Sequence, residues 1–94
     1  MKVIVSSKAL ANGLNEVDFE INYMECLQYD NGYLYLFVDD ITISVSCQAT
    51  FNRSKIYNQI DVRWNSIKDL INQIEEQPIT LNISESKLSI TINF

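Results

Sequence analysis

The residue types that enzymes use for proton transfer and nucleophilic attack are sparse in this chain. It contains no histidine, which excludes Ser-His or Cys-His nucleophiles and histidine metal sites. Paired catalytic carboxylates need a fixed separation in a cleft. The adjacent carboxylates here, Asp39-Asp40 and Glu75-Glu76, stand at a predicted turn and a predicted helix end, where acidic side chains are usually solvated. We therefore expect a protein that is not an enzyme, with no catalytic residues, no metal and no cofactor.

An aromatic set is the more informative group of side chains. Tyr33, Tyr35 and Phe37 alternate with leucines along a predicted strand, so all three share one face. Three interpretations are open for this face. It could form one wall of the core, a sheet surface that binds protein, or a stacking platform for single-stranded nucleic acid. We take the three residues as candidates for an interaction surface.

Composition describes one small domain. The chain has 94 residues, 47% of them hydrophobic, and a formal net charge of −5. One domain of residues 1–94 is expected from this length. No stretch approaches the ~20 apolar residues of a membrane span, so we expect a cytoplasmic protein with no membrane partner. Cys26 and Cys47 lack metal or redox spacing and are expected to be free thiols.

Two helices and several strands follow from the periodicity. Leu10, Leu14 and Val17 form one apolar stripe after a cap at Ser6 or Ser7, which predicts the first helix. Ile67, Leu70, Ile71 and Ile74 predict the second, capped by Asn65 or Ser66 and stopped near Pro78. Gly13 lies beside the first stripe, and a close approach to a strand would explain it.

The remaining segments predict strands and turns. Asn31-Gly32 predicts a tight hairpin, because both residues tolerate positive φ. Apolar residues alternate in 33–38, 41–47, 79–83 and 88–94, whereas residues 49–58 show weak periodicity and are interpreted as a connection. Ile60, Val62 and Trp64 predict one more strand, with Trp64 as a core residue.

The chain also contains an internal repeat. A shift of 57 residues superposes the stripe of the first helix on that of the second, and a three-residue insertion then places residues 19–23 on 79–83. We predict pseudo-repeat halves of about residues 1–48 and 58–94. Each half is β-α-β-β(-β), and the two helices should lie adjacent on one face of a curved antiparallel sheet. The predicted class is α+β.

A family resemblance follows from these segments. The opening residues 1–5, the helix from Lys8 to Val17, the turn at Asn31-Gly32 and the segment from Val62 to Ile71 together resemble one domain of a DNA sliding clamp. Among the domains of that family, it resembles the first one of the bacterial DNA polymerase III beta subunit. The resemblance covers nearly the whole chain and implies a DNA-clamp-like domain.

Clamps of this family are closed rings of six such domains, whose helices present basic residues to DNA and whose sheets join edge to edge. The resemblance implies an exposed helix surface with the following residues: Lys8, Asn12, Asn15, Lys68, Asn72 and Glu75, flanked by Asp69 and Glu76. Lys8, Arg63 and Lys68 are the candidate DNA contacts. The carboxylates make this surface a poor lining for phosphates, and a ring of this one-domain chain would need six copies.

We therefore predict a non-catalytic, sliding-clamp-like module that acts in DNA metabolism through self-assembly or by docking a partner. The expected partner is a protein, or a second copy joined through the sheet edges. Double-stranded DNA is a further candidate partner, weakened by the acidic helix faces. The alternative is a protein-interaction or inhibitor-like domain that keeps the fold without contacting DNA.

Overall fold

The computed structural model describes residues 1–16, 23–38, 41–49, 53–61, 64–84 and 87–92. These residues form seven strands and two helices, which confirms the predicted α+β class. The strands are β1 (Lys2–Ser6), β2 (Tyr23–Asp30), β3 (Tyr33–Val38), β4 (Ile41–Ala49), β5 (Lys55–Asp61), β6 (Pro78–Ile83) and β7 (Leu88–Thr91). The helices are α1 (Ser7–Leu14) and α2 (Trp64–Asn72).

The strands form one curled antiparallel sheet in the order β5-β2-β3-β4-β1-β6-β7. The strand before α1 pairs with the strand after α2, as Val5 lies opposite Ile79. The strand before α2 pairs in the same way with β2, the next described strand after α1, as Tyr57 lies opposite Leu27. Each helix is thus preceded by a strand that is hydrogen-bonded to a strand following the other helix.

A single hydrophobic core joins the helices to one face of the sheet. Leu10 and Leu14 of α1 are fully buried, and so is Trp64 at the start of α2. This confirms Trp64 as a core residue. The sheet contributes the alternating apolar residues that the sequence pattern predicts, namely Val3, Val5, Leu34, Leu36, Ile43, Val45, Ile79, Leu81 and Ile83.

Gly13 allows α1 to approach the sheet closely. A Cβ atom built on Gly13 would lie 2.5 Å from Cγ2 of Ile43 in β4. Ile43 is buried and β-branched, so its methyl group has little freedom to move away. The predicted close approach of Gly13 to a strand is therefore confirmed, and the lower helix propensity of glycine is offset by packing.

The β2–β3 hairpin turns at Asn31-Gly32, as predicted. Both residues have positive φ, 49° at Asn31 and 83° at Gly32, the pair of values that a two-residue type I′ turn requires. The turn sets the register in which Asp30 lies opposite Tyr33 and Leu27 opposite Leu36. It therefore also decides which residues of β3 face the core.

Several boundary predictions are wrong around residues 49–78. Strand β5 begins at Lys55, inside the segment interpreted as a connection, because Tyr57 is buried there as a strand residue. Helix α2 begins at Trp64, so neither Asn65 nor Ser66 is its cap. The helix ends at Asn72, and Pro78 instead begins β6. Residues 17–22 and 62–63, which carry other parts of the predicted pattern, lie outside the described residues.

Candidate interaction surfaces

The two helices are joined at their C-terminal ends by a pair of asparagines. The Asn15 side-chain amide donates to Oδ1 of Asn72 at 3.0 Å, and the Asn72 amide donates back to Oδ1 of Asn15 at 2.9 Å. The Asn72 amide also donates to the backbone carbonyl of Lys68 at 2.7 Å. Two polar side chains of the predicted DNA-facing surface are therefore engaged with each other.

The N-terminal end of α1 is covered by a carboxylate. Ser6 is the N-cap, and its hydroxyl oxygen accepts the backbone N–H of Ala9 at 3.1 Å. The Glu76 carboxylate accepts the Ser6 hydroxyl at 2.7–2.8 Å and the backbone N–H of Lys8 at 3.0 Å. A helix N-terminus attracts anions because its N–H groups and its dipole are positive. Here Glu76 already fills that role.

The connection after α2 is held against the same end of α1. The buried Ser7 hydroxyl accepts the backbone N–H of Gln77 at 3.0 Å, and the Ser7 backbone N–H donates to the Gln77 carbonyl at 2.9 Å. These hydrogen bonds place Glu76 beside Ser6. The pair Glu75-Glu76 therefore has a structural member, Glu76, and an exposed neighbour. The other pair, Asp39-Asp40, lies outside the described residues.

The exposed layer of the two helices is acidic on balance. Lys8 is exposed and Lys68 is half-buried, whereas Arg63 lies outside the described residues. Four exposed carboxylates accompany these two lysines on residues 7–16 and 64–76: Glu16, Asp69, Glu75 and Glu76. Binding to duplex DNA needs clustered cations that replace the counterions of the phosphates. This arrangement of charges is unfavourable for such contacts.

The outer face of the sheet carries the aromatic set. Leu34 and Leu36 are fully buried, so the alternating Tyr33, Tyr35 and Phe37 lie on the opposite face. Tyr33 is 46% exposed, and the other two are half-buried. The interpretation of this set as a wall of the core is therefore wrong. The Tyr33 and Tyr35 rings contact each other, with centroids 6.2 Å apart and planes tilted by 34°.

Small hydroxyl side chains flank these rings on β4. Ser46 lies opposite Tyr33, Ser44 opposite Tyr35 and Thr42 opposite Phe37, and all three are exposed. Tyrosine supplies rigid amphipathic contact area, and serine supplies adaptable hydrogen bonds. A stacking platform for nucleic acid would need cations beside the rings, and the β4 neighbours are uncharged.

The sheet ends in two edge strands within the described residues, β5 and β7. Tyr57 of β5 is buried, and the Lys55 ammonium group lies 5.4 Å from the centroid of its ring. Ile56, between them, is 56% exposed, more than any other large apolar side chain described. The segment before this strand is tied to the hairpin, because the Ser54 hydroxyl donates to the Asp30 carboxylate.

Sequence reasoning missed the β5 edge. The polar pair Asn58-Gln59 interrupts the apolar alternation, so the segment resembles a loop when it is judged by hydrophobicity alone. One signal was present, because the neighbouring Ile56 and Tyr57 are residue types that strands favour.

A depression of about 320 Å³ lies on the outer side of β1 and β4, lined by Ile4, Ser46, Cys47, Gln48, Glu76 and Pro78. Burial raises the pKa of the Cys47 thiol to about 11. The thiolate is the nucleophilic form of cysteine, so this thiol is unreactive near neutral pH. Glu76 is the acidic residue of this depression, and it is engaged with α1.

No group of three or more His, Cys, Asp or Glu side chains in the described ranges is placed to hold a metal ion. Neither described helix is long and apolar enough to cross a membrane. Comparison of the chain with protein-family models, with curated proteins and with solved structures finds no match. The resemblance to sliding clamps therefore rests on the order of the elements and the spacing of the apolar residues.

Proposed function

We propose that this chain is a non-catalytic, sliding-clamp-like module that acts through its sheet, by self-assembly or by docking a protein partner. The observation that carries the proposal is the contrast between its two surfaces. Helices α1 and α2 and the residues just after them carry more carboxylates than cations, and Asn15, Asn72 and the N-terminus of α1 are hydrogen-bonded within the domain. The opposite surface presents exposed aromatic and apolar side chains and two strand edges.

The topology supports the clamp-like part of this proposal. The strand before each helix pairs with a strand of the other half: β1 pairs with β6, and β5 pairs with β2. Helices α1 and α2 contact one another and begin 57 residues apart, the same spacing as the hydrogen-bonded Asn15 and Asn72. An approximate twofold axis between these asparagines would relate the halves of a clamp-like domain. The role in DNA metabolism is proposed from the resemblance to the clamps.

The second candidate function is that of a protein-interaction or inhibitor-like domain that never contacts DNA. The charges favour it, because Lys8 and Lys68 are outnumbered by neighbouring carboxylates. In this case the outer face around Tyr33 and Tyr35 would bind the partner directly. The two candidates differ in whether the helix layer faces DNA and in whether copies of the chain assemble.

Two measurements on the same protein distinguish these functions. Light scattering after size-exclusion chromatography gives the assembly state over a range of concentrations. Fluorescence anisotropy of a labelled duplex at low salt measures contact with DNA. The self-assembling form of the proposal predicts assemblies larger than a monomer. A strictly monomeric protein that ignores the duplex would contradict self-assembly and favour the interaction domain.

A DNA-encircling role predicts duplex binding that weakens when Lys8→Glu and Lys68→Glu are introduced together. Removing one phosphate contact should reduce the dependence of log Kd on log salt by about 1. The matched control is Lys2→Glu combined with Lys87→Glu, which makes the same total charge change on β1 and beside β7, outside the two helices. Equally weakened binding in the control would show a general charge effect and contradict a helix-layer site.

A further inference from the structure

We infer that the β5 edge is a homodimer interface, in which β5 of one copy pairs antiparallel with β5 of a second copy about a twofold axis. This inference rests on the proposed function and names its partner as a second copy of the chain. β5 ends the sheet among the described residues, so the side of its backbone away from β2 is free of a described strand. An unpaired strand edge is a template for a further strand.

The sequence of β5 is complementary to itself. When Asn58 lies on the twofold axis, all seven residues of the strand find a counterpart in the second copy. The pairs are Lys55 with Asp61, Ile56 with Ile60, Tyr57 with Gln59, and Asn58 with Asn58. Opposite charges and pairs of apolar residues directly across an antiparallel ladder are stabilising, and like charges are destabilising.

The same register keeps the two sheets continuous. Tyr57 faces the core, and Ile56 is exposed on the outer face. Positions two apart along a strand share a face, so any two odd-numbered positions of β5 share a face, and so do any two even-numbered positions. Each pair of the self-complementary register joins positions of the same face. The cores and the helix layers of both copies would therefore lie on the same side of one extended sheet.

The alternative is a head-to-tail assembly, in which β5 of one copy pairs with β7 of the next. This pairing lacks the opposite charges that the β5–β5 pairing brings together. Leu88 of β7 is buried and faces the core, as Tyr57 does in β5. A continuous core face then places odd-numbered residues of β5 opposite even-numbered residues of β7, so Asp61 never lies opposite Lys87. The residues of β7 include no carboxylate for Lys55. A twofold pairing is also the commonest symmetry of homo-oligomers.

The position of the exposed apolar group agrees with this interface. Ile56 is the most exposed large apolar side chain described, and it lies on β5, an edge strand of the described part of the sheet. In the dimer it would be opposite Ile60 of the second copy. A lysine on an edge strand usually discourages pairing with another chain. In this register each Lys55 meets a carboxylate, which removes that penalty.

The test uses charge reversal at the two ends of β5. Lys55→Asp and Asp61→Lys each turn two attractive pairs of the dimer into two repulsive pairs, and we expect each variant alone to dimerise about 10- to 100-fold more weakly. A mixture of the two variants restores opposite charges at both ends, so it should form heterodimers with nearly the wild-type affinity. The double variant should dimerise like the wild type.

Sedimentation velocity over a concentration series measures these affinities, and circular dichroism confirms that each variant is folded. Lys87→Asp, beside the other edge, is the matched control and should leave the dimer unchanged. Wild-type protein that stays monomeric at high concentration overturns the inference together with the self-assembling form of the proposed function. Wild-type assemblies that survive both single reversals, or a mixture that fails to associate, overturn the β5 interface alone.

Discussion

The side chains of Asn15 and Asn72 exchange two hydrogen bonds, 3.0 and 2.9 Å long, across the contact between α1 and α2. Both residues are exposed, so water competes for these amides and the pair makes a modest contribution. The pair instead fixes how α1 and α2 lie relative to each other, because the two amides can exchange both hydrogen bonds only at one distance between the helix ends.

Replacing these asparagines should therefore reveal coupling. We expect Asn15→Ala to lower the free energy of unfolding by about 0.5–1.5 kcal/mol, the net contribution of ordinary hydrogen bonds. Asn72→Ala should cost more, because it also removes the bond to the Lys68 carbonyl. Urea unfolding of the singles and the double variant forms a double-mutant cycle. Strict additivity would show that the pair does not couple the helices.

Gly13→Ala should destabilise the fold although alanine is the better helix former. The added methyl group would meet Cγ2 of Ile43 at 2.5 Å, and overpacking of this kind costs about 1–3 kcal/mol, more than the ~1 kcal/mol of helix propensity gained. Thermal and urea unfolding measure the balance.

Asn12→Ala is the matched control for Gly13→Ala. It lies one residue away on α1 but is exposed, so it should leave the stability equal or slightly higher. Combining Gly13→Ala with Ile43→Ala should lower the free energy of unfolding by less than the sum of the two single changes. Ile43→Ala removes the methyl group that the new Cβ atom would meet. A stabilising Gly13→Ala would contradict the close approach.

Glu76→Ala should destabilise the start of α1. It removes the acceptor of the Ser6 hydroxyl and of the Lys8 backbone N–H, and with it a negative charge at the positive end of the helix. The lost hydrogen bonds and the lost charge together should lower the free energy of unfolding by about 1–2 kcal/mol. Glu75→Ala is the control, since Glu75 is exposed one residue earlier. Equal costs for the two variants would contradict a specific role for Glu76.

The Cys47 thiol should react slowly at neutral pH. Burial raises the pKa of this thiol to about 11 from an ordinary value of 9.0. The thiolate therefore stays scarce at pH values where an ordinary thiol is already ionised. In a Cys26→Ser variant, the rate of iodoacetamide alkylation should rise with pH up to about 11 in the folded protein, and should level off near 9 in urea.

The same shift has a consequence for stability. The unfolded chain loses the Cys47 proton at lower pH than the folded chain does, so between pH 9 and 11 the folded state binds more protons. The contribution of Cys47 to the free energy of unfolding is fully present below pH 9 and declines as the pH rises from 9 to 11. Cys47→Ser should reduce the decline in stability between these pH values. An unchanged slope would contradict the burial of this thiol.

The sequence predicted the elements whose apolar period is clean, and it failed where polar residues lie on an edge. Leu34 and Leu36 could be assigned to one face of β3 because alternation alone decides it. The exposed position of Tyr33 and Tyr35 could not, because both faces of that strand are apolar and only the placement of the helices selects the buried one. The Glu76 cap was equally invisible, since it depends on a contact between residues 70 positions apart along the chain.

The placement of β1 between β4 and β6 also affects how the chain folds. Pairing of Lys2 with Asn82 and of Ser6 with Pro78 joins the beginning of the described chain to a segment near its end. During synthesis, β1 and α1 must remain without this neighbour until β6 has left the ribosome. Contacts of such large sequence separation form slowly, so Val3 and Val5 of the nascent chain lack their β6 neighbours until residues 78–83 have been made, and β1 depends on this later segment for protection.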